Sequence, residues 1–395
     1  MAELSDTIER IRSEEASIQK LFSGDGGEKY GRVRVGEHRK ARDYKRRLTE
    51  AAVFIGEIRS GKRPLYHLQE AMSTSDFPIL FADILDRQLL ANYAEIPPTW
   101  QNFARRGTVP DFRTVRRFAV DGAETVLPRV GELEEYREAS LTESRDEYSV
   151  GKVGRRLDLS WEALINDDLD AFRSAPERLA RAARRSEEKF ATELYIGTRG
   201  PNGLLYEARY SNVVTGNPPL ELRGLQLAFR QLYEMRDAEG EPVMMGDAVT
   251  LFISPALVVT AENLVNALSI ELEVEGGSRE QRIRAANWMR GKVRVQVVPY
   301  LPIIARENAD TTWGLFGNPN TGRPALEVGF LRGYEEPALF ERLPNARRVG
   351  GSGGDEMRSF EDDSRAWRVT HVFGGTRLLS TGGTKATVAS NGSGA

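Results

Sequence analysis

One long amphipathic helix divides the chain. Ser174-Ala-Pro-Glu177 is a strong helix start, with a Ser cap, an early Pro and a Glu at the third position. Leu179, Ala182, Ala183, Phe190 and Leu194 then recur on one face, while Arg178, Arg181, Arg184, Arg185 and Lys189 cover most of the rest. The spacing predicts a helix from Ser174 to near Gly197. Strand-like patterns precede it and a mixed region of helices and strands follows it, so the fold class is α+β.

Before this helix the chain reads as arms. Asp6 caps a predicted helix carrying Ile8, Ile11, Ile18 and Phe22, which Gly24-Asp-Gly-Gly27 stops. Residues 28–63 hold twelve Lys or Arg against five Asp or Glu. Helical patterns run from about Asp43 to Ser60 and from Ile79 to Asn92, the second ended by Pro97-Pro98. Phe112 to Val120 and Ser149 to Leu159 read as strands. Between them, from Asp121-Gly122 to about Asp146, lies an acidic, weakly patterned stretch. Residues 111–160 are therefore expected to form a long two-stranded arm with an irregular tip. Such an arm has little core of its own and is marginal alone, so it makes sense lying on a neighbouring subunit.

After the helix, Leu222 to Met235 is amphipathic, Ala248 to Ile253 is a buried strand, and Ser254-Pro255 starts a helix reaching about Leu268. Ser278 to Met289 reads as a helix ended by Gly291, and Val293 to Val298 as a strand that Pro299 terminates. Gly350-Gly-Ser-Gly-Gly354 reads as a flexible surface loop, and the Gly-, Ser-, Thr- and Ala-rich residues 380–395 read as disordered.

Chemistry-bearing patterns are weak. Gly56-Glu-Ile-Arg-Ser-Gly61-Lys62-Arg63 nearly spells a phosphate-binding loop, but Arg63 stands where a magnesium-ligating hydroxyl is needed. A helix end with Gly61 past it is the better reading. His38, His67 and His371 match no metal or triad spacing. Asp167, Asp168 and Asp170 read as negative charge near a helix start rather than a cation site. The absence of cysteine excludes disulfides and thiolate metal sites. No catalytic residue, cofactor or metal is expected. No apolar run approaches the roughly 18 residues of a membrane helix, the first residues lack a signal pattern, and the net charge of −3 is small for 395 residues. The chain is expected to stay where it is made.

The strongest pattern is the order of segments in the last quarter. Trp313-Gly-Leu-Phe-Gly-Asn-Pro is followed by Ala325-Leu-Glu-Val-Gly-Phe-Leu-Arg-Gly-Tyr-Glu-Glu-Pro, then Phe360-Glu-Asp-Asp, then Trp367-Arg-Val-Thr-His-Val-Phe-Gly-Gly. This order resembles the C-terminal signature of tailed-bacteriophage major capsid proteins. Asp167-Asp-Leu-Asp-Ala-Phe172 with the long basic helix, Leu251-Phe-Ile-Ser-Pro-Ala-Leu and Asn287-Trp-Met-Arg-Gly-Lys-Val resemble further segments of that family, in the right order.

The resemblance implies the Hong Kong 97-type (HK-97) fold. It would have an N-terminal arm and helices (1–110), an extended β-hairpin loop (111–160), a peripheral domain with the spine helix (161–212 and 341–379), an axial domain (213–340) and a flexible tail (380–395). It implies a structural major capsid protein of the virion, not an enzyme. Such a protein is assembled in the host cytoplasm into hexamers and pentamers that form an icosahedral head around double-stranded DNA. Scaffold, portal and decoration proteins are its expected partners, with non-specific DNA contacts and no membrane. An encapsulin-like compartment shell enclosing an enzyme cargo is the alternative. Inter-subunit or DNA-facing candidates are Arg39, Lys40, Arg42, Lys45, Arg46 and Arg47 in the basic stretch. Glu132, Glu134, Glu135 and Glu138 at the acidic tip, and Arg181, Arg184 and Arg185 on the long helix, complete the set. Some family members crosslink an extended-loop lysine. Here that loop's one lysine is Lys152, near its base, so no covalent crosslinking is expected.

Overall fold

The computed structural model describes residues 57, 62, 89–121, 129–130, 142–160, 169–236, 240, 242–243, 248–273, 282–320, 324–342, 359–362, 364–378 and 386–394. The predicted helices at Asp6 and Asp43 and the glycine-rich loop at Gly350 lie outside the described residues, apart from Glu57 within the second helix. In chain order the strands are β1 (Arg105–Val109), β2 (Val115–Asp121), β3 (Thr142–Tyr148) and β4 (Val150–Leu159), followed by helix α1 (Leu169–Tyr195). Then come α2 (Leu222–Tyr233), β5 (Val249–Ile253), α3 (Val258–Asn266), β6 (Ser269–Glu273), β7 (Arg282–Ala286) and β8 (Val293–Val297). The last are β9 (Trp313–Phe316), β10 (Leu326–Leu331), β11 (Ala338–Glu341), β12 (Arg365–Arg377) and β13 (Thr387–Ser390). This mixture of helix and strand fits the α+β Hong Kong 97-type fold.

The chain divides into two compact units. One comprises Met1–Pro97, Lys152–Arg184 and Gly333–His371, the other Pro98–Gly151, Arg185–Arg332 and Val372–Ala395. In the first, Leu89 and Tyr93 from a helical stretch at 89–95 bury against Leu179, Ala180 and Ala183 of α1 and Val369 of β12. The apolar stripe of the long helix explains this directly. The β11 strand pairs antiparallel with β12, Ala338 opposite Thr370.

The second unit is organised by a sheet in the order β8-β5-β9-β13. β5 and β8 are parallel, while β9 is antiparallel to both β5 and β13. All five residues of β5 are buried, as expected for a strand covered on both faces. Leu251 and Ile253 join Leu225, Phe229 and Leu232 of α2, Ala261 and Val265 of α3, and Trp313 and Leu315 in one core. Phe252 and Phe316 point the other way, with period two, into a ring cluster with Phe103 and Tyr195 whose centroids lie 5.0 to 5.5 Å apart.

Four expectations are corrected. The long helix, described as Leu169–Tyr195, already includes the five residues before Ser174 and with them Asp170, while Asp167 and Asp168 lie outside the described residues. Residues 282–286 are strand, not helix. Ile283 and Ala285 alternate with Arg282 and Arg284, a period of two, and the register with β6 sets Glu271 opposite Arg284 and Glu273 opposite Arg282. The predicted disordered tail contains β13, fully buried against β9. Thr387 and Val388 are β-branched and suit a strand, a local signal masked by small-residue composition. Finally, the arm is not one pair of strands. β2 pairs with β3, whereas β4 joins β12.

Candidate functional site

The β2–β3 ribbon is a two-stranded sheet with little core of its own, so what roots it decides what it can do. Its register runs from Val115 opposite Tyr148 to Asp121 opposite Thr142. One face carries Val115, Arg117, Tyr148 and Asp146. The other carries Arg116, Phe118, Arg145 and Glu147.

The first face is fastened by a buried carboxylate. Glu327 on β10 is 1% exposed. The Tyr148 hydroxyl donates to its Oε1 at 2.6 Å, and the Arg117 guanidinium donates to the same atom at 2.6 Å. Arg105 stands 3.8 Å from Oε2. Arg117 also reaches the Thr108 carbonyl and the Tyr148 oxygen at 3.3 Å. A buried charge needs such pairing, since burying it alone is costly. Tyr148 packs with Val109, Val150, Leu331 and Val372.

Glycines make the room. A Cβ at Gly329 would fall on the Tyr148 phenol, one at Gly374 on the Ser149 carbonyl, and one at Gly107 on the Glu327 carboxylate. Gly333, just after β10, has φ +80°, a left-handed turn that favours glycine. The glycines in Val328-Gly-Phe-Leu-Arg-Gly333 and Phe373-Gly-Gly375 thus clear the ribbon's root or turn the chain beside it.

Burial and the bond to Glu327 push the Tyr148 phenol up to about 12 from its usual 10. Burial also raises Tyr195 and Tyr206. A phenol whose folded value is raised stabilises the fold fully below its unfolded value, near 10. That contribution is lost as pH rises through the folded value. The urea midpoint of the subunit is therefore expected to fall between about pH 10 and 12. Tyr148→Phe should make that fall shallower. A midpoint unchanged up to pH 12, or an equal slope in the variant, would contradict the burial of these phenols.

A second fastening holds the segment after Pro97-Pro98. The Thr99 N–H and hydroxyl both donate to Glu188 of α1, the hydroxyl at 2.6 Å, and Trp100 Nε1 donates to the buried Glu187 at 2.7 Å. The Trp100 ring stacks on Phe330 at 5.9 Å. Trp100→Ala is expected to cost about 3–5 kcal/mol, as for large aromatic core deletions, read as a lowered urea midpoint.

Of the sequence candidates, Arg39, Lys40, Arg42, Lys45, Arg46, Arg47, Glu132, Glu134, Glu135 and Glu138 lie outside the described residues. Arg181 and Arg185 are exposed on α1 with Arg178 and Lys189. Arg181 pairs with Glu177 and Lys189 with Glu193 at 3.8 Å, exposed pairs of small energetic weight. Arg184 is not a surface group. It is 6% exposed, its guanidinium lies 3.8 Å over the Tyr93 ring, and it donates to the Tyr93 carbonyl at 2.9 Å. Its position between Leu179 and Phe190 on the packed side of α1, with a flat cation able to stack, explains the burial.

Sequence reasoning missed Arg117, Tyr148, Glu327, Glu187 and Glu188. The one available signal was Glu327, a lone acid in the apolar run Ala325-Leu-Glu-Val-Gly, which must find a distant partner if buried. Of the other patterns, the Lys62 N–H bonds to the Glu57 carbonyl at 2.9 Å, a six-residue closure of the kind that ends a helix. His371 is buried with its Nε2 3.5 Å from the Tyr93 hydroxyl. Among the described residues no group of three or more His, Asp or Glu could hold a metal ion, and no helix is long and apolar enough to cross a membrane.

A family model described as phage capsid protein matches residues 144–386. Among solved structures, the chain is similar to the capsid of Ralstonia phage GP4, with 11% identity over 73% of this chain and 88% of that one, at a TM-score of 0.49. It is similar to a chain of Microbacterium phage Oxtober96 at 12% identity, 74% and 90% coverage and a TM-score of 0.43. For the virus-like particle from Pyrococcus furiosus the values are 14%, 78%, 98% and 0.38. No curated protein matches the chain.

Proposed function

Because the chain belongs to the phage capsid protein family, we propose that it is the major capsid subunit of a tailed phage, many copies of which form hexamers and pentamers that close into an icosahedral head around double-stranded DNA. The family match over residues 144–386 carries this reading. It makes the protein a structural component of the virion, whose task is mechanical. Assembly in the host cytoplasm with scaffold, portal and decoration proteins belongs to the same proposal.

In this reading residues 111–160 supply the extended loop, 161–212 with 341–379 the peripheral domain, and 213–340 the axial domain. The strand Thr387–Ser390 goes with the axial domain, because its ladder partner is Trp313–Phe316. The ribbon laps onto a neighbouring subunit. The small contact it makes gains weight by repetition over the closed shell. The basic stretch 28–63 and the exposed Arg178, Arg181, Arg185 and Lys189 offer phosphate contacts of the sequence-blind kind.

Negative-stain electron microscopy of the purified chain is the test. Closed shells or capsomer rings are expected, and a monomer that stays monomeric on concentration, with or without the phage's scaffold, would refute the proposal. The content of native particles separates a phage head, which holds DNA, from an encapsulin-like compartment, which holds a protein cargo.

A further inference from the structure

The chain has two Asn-Gly pairs, Asn202-Gly203 and Asn391-Gly392. An asparagine before glycine can lose its side-chain amide to attack by the next peptide nitrogen, which glycine leaves unshielded by a Cβ. Both asparagines close the same local turn. The Leu204 N–H donates to Asn202 Oδ1 at 3.0 Å, and the Ser393 N–H donates to Asn391 Oδ1 at 2.9 Å. Such a closure folds the side-chain amide back toward the following peptide. Dipeptide and turn therefore do not separate the two sites, but their surroundings do.

At Asn391 the attacking nitrogen is occupied. The Gly392 N–H donates to Ser390 Oγ at 3.0 Å. Gly392 has φ +68°, and a Cβ there would fall on the Thr311 carbonyl. The Thr311 hydroxyl holds the Asn391 carbonyl at 2.6 Å. At Asn202 the nitrogen is open. Gly203 is exposed, a Cβ there would meet nothing within 4 Å, and none of the described residues accepts from its N–H. The backbone around it is held all the same. The Asn202 N–H donates to the Tyr195 carbonyl, and the Asn202 carbonyl accepts from Leu205 and Tyr206, each at 2.9 Å.

A cation stands beside this amide. Asn202 Nδ2 donates to the Glu193 carbonyl at 3.2 Å, and Arg377, the last residue of β12, donates to the same oxygen at 3.3 Å. Arg377 is half-buried, with the Glu193 and Leu194 carbonyls as its acceptors. Burial lowers its pKa, and no carboxylate among the described residues offsets that cost. A cation so placed favours the negative charge that develops on an attacked amide, and it favours the carboxylate left afterwards.

We propose that Asn202-Gly203 is a self-modifying site, which in the folded protein turns its amide into a carboxylate facing Arg377, while Asn391 keeps its amide. The Gly203 nitrogen gives up its proton and bonds to Asn202 Cγ. The Cγ–Nδ2 bond breaks, and the amide nitrogen leaves as ammonia with that proton. Water then opens the cyclic imide. Opening at Cγ gives aspartate on an unchanged backbone, and opening at the backbone carbonyl gives isoaspartate. The chemistry needs no assembled shell.

The full chain, folded and separately in urea, is held at mildly alkaline pH and digested, and peptide mass spectrometry follows both asparagines. In urea the two should convert at similar rates. In the folded chain Asn202 should convert about tenfold or more faster than Asn391. Gly203→Ala adds a methyl group into open space, so it should keep the fold and block conversion at 202. Equal rates in the folded chain, an amide retained at Asn202, or undiminished conversion in Gly203→Ala would overturn the site. The charge is read separately. Asn202→Asp should raise the urea midpoint above that of the wild type, by an amount that shrinks in high salt. A lowered midpoint would overturn the pairing with Arg377.

Discussion

Removing residues 386–395 is expected to leave no cooperatively folded second unit. The deletion takes away all four residues of β13, each fully buried, and the ladder from Trp313 opposite Ser390 to Phe316 opposite Thr387. Val388 belongs to the main core, and its loss alone is worth about 1.5–3 kcal/mol. The Tyr206 hydroxyl, 2.9 Å from Thr387 Oγ1, would be buried without that partner, at roughly 1–3 kcal/mol more. The exposed edge of β9, with Leu315 and Phe316, would invite aggregation. Together with the lost ladder, these reach the low end of the roughly 5–15 kcal/mol that holds a typical domain folded. Urea unfolding followed by tryptophan fluorescence reads this. A truncated chain with the wild-type midpoint would show that β13 contributes nothing. Extensions after Gly394, which is exposed, should be tolerated by contrast.

The second large effect is expected at the ribbon's root. Arg117→Met removes the closer of the two cations facing Glu327 and leaves the buried carboxylate with Tyr148 and the more distant Arg105. Breaking a buried pair from one side costs about 3–5 kcal/mol, and the low end applies because Arg117 is itself partly exposed. Glu327→Gln should cost less, since an amide oxygen still accepts from Tyr148. Gly329→Ala should cost about 1–3 kcal/mol, by forcing the Tyr148 ring off its seat. Thermal melts of the soluble subunit rank the three. A ranking with Glu327→Gln worst would mean that the carboxylate's charge, rather than its acceptor, is what holds the ribbon. Excising only the tip, 122–141, with a short Asn-Gly turn should leave these melts unchanged and stop shell assembly. Removing all of 111–160 is a poorer test, because it also deletes β4 and Tyr148, which belong to sheet and core.

Much of this architecture could be read before any coordinates. The long helix beyond Ser174 and α2 fell where apolar periodicity put them, because each buries one continuous face, and β5 fell where its unbroken apolar run put it. The segments that misled are those where composition and periodicity disagree. Residues 282–286 are rich in helix-forming Arg and Ala, yet alternate with period two, and pairing with β6 decided the outcome. The tail is rich in Gly and Ser, yet Thr387-Val388-Ala389 needs only one open strand edge to be ordered. The root of the ribbon was hidden for another reason. Arg117, Tyr148 and Glu327 are remote in sequence, and no local pattern reports a contact made across 210 residues. The glycines that serve that root were visible as a signature, but their purpose was not. Only the position of the Tyr148 ring explains why Gly329 has no side chain.

That long-range contact has a consequence for the order in which the protein is made. β1, which leads into the ribbon, pairs in parallel with β10, Arg105 opposite Glu327. During synthesis the ribbon leaves the ribosome early, and its anchor strand emerges only after some two hundred further residues. Contacts so distant in sequence form slowly even in a complete chain. A nascent subunit therefore carries an unrooted ribbon until most of its body exists. In the head we propose, chains abandoned midway through translation would lack the rooted ribbon needed to enter the growing lattice and spoil it.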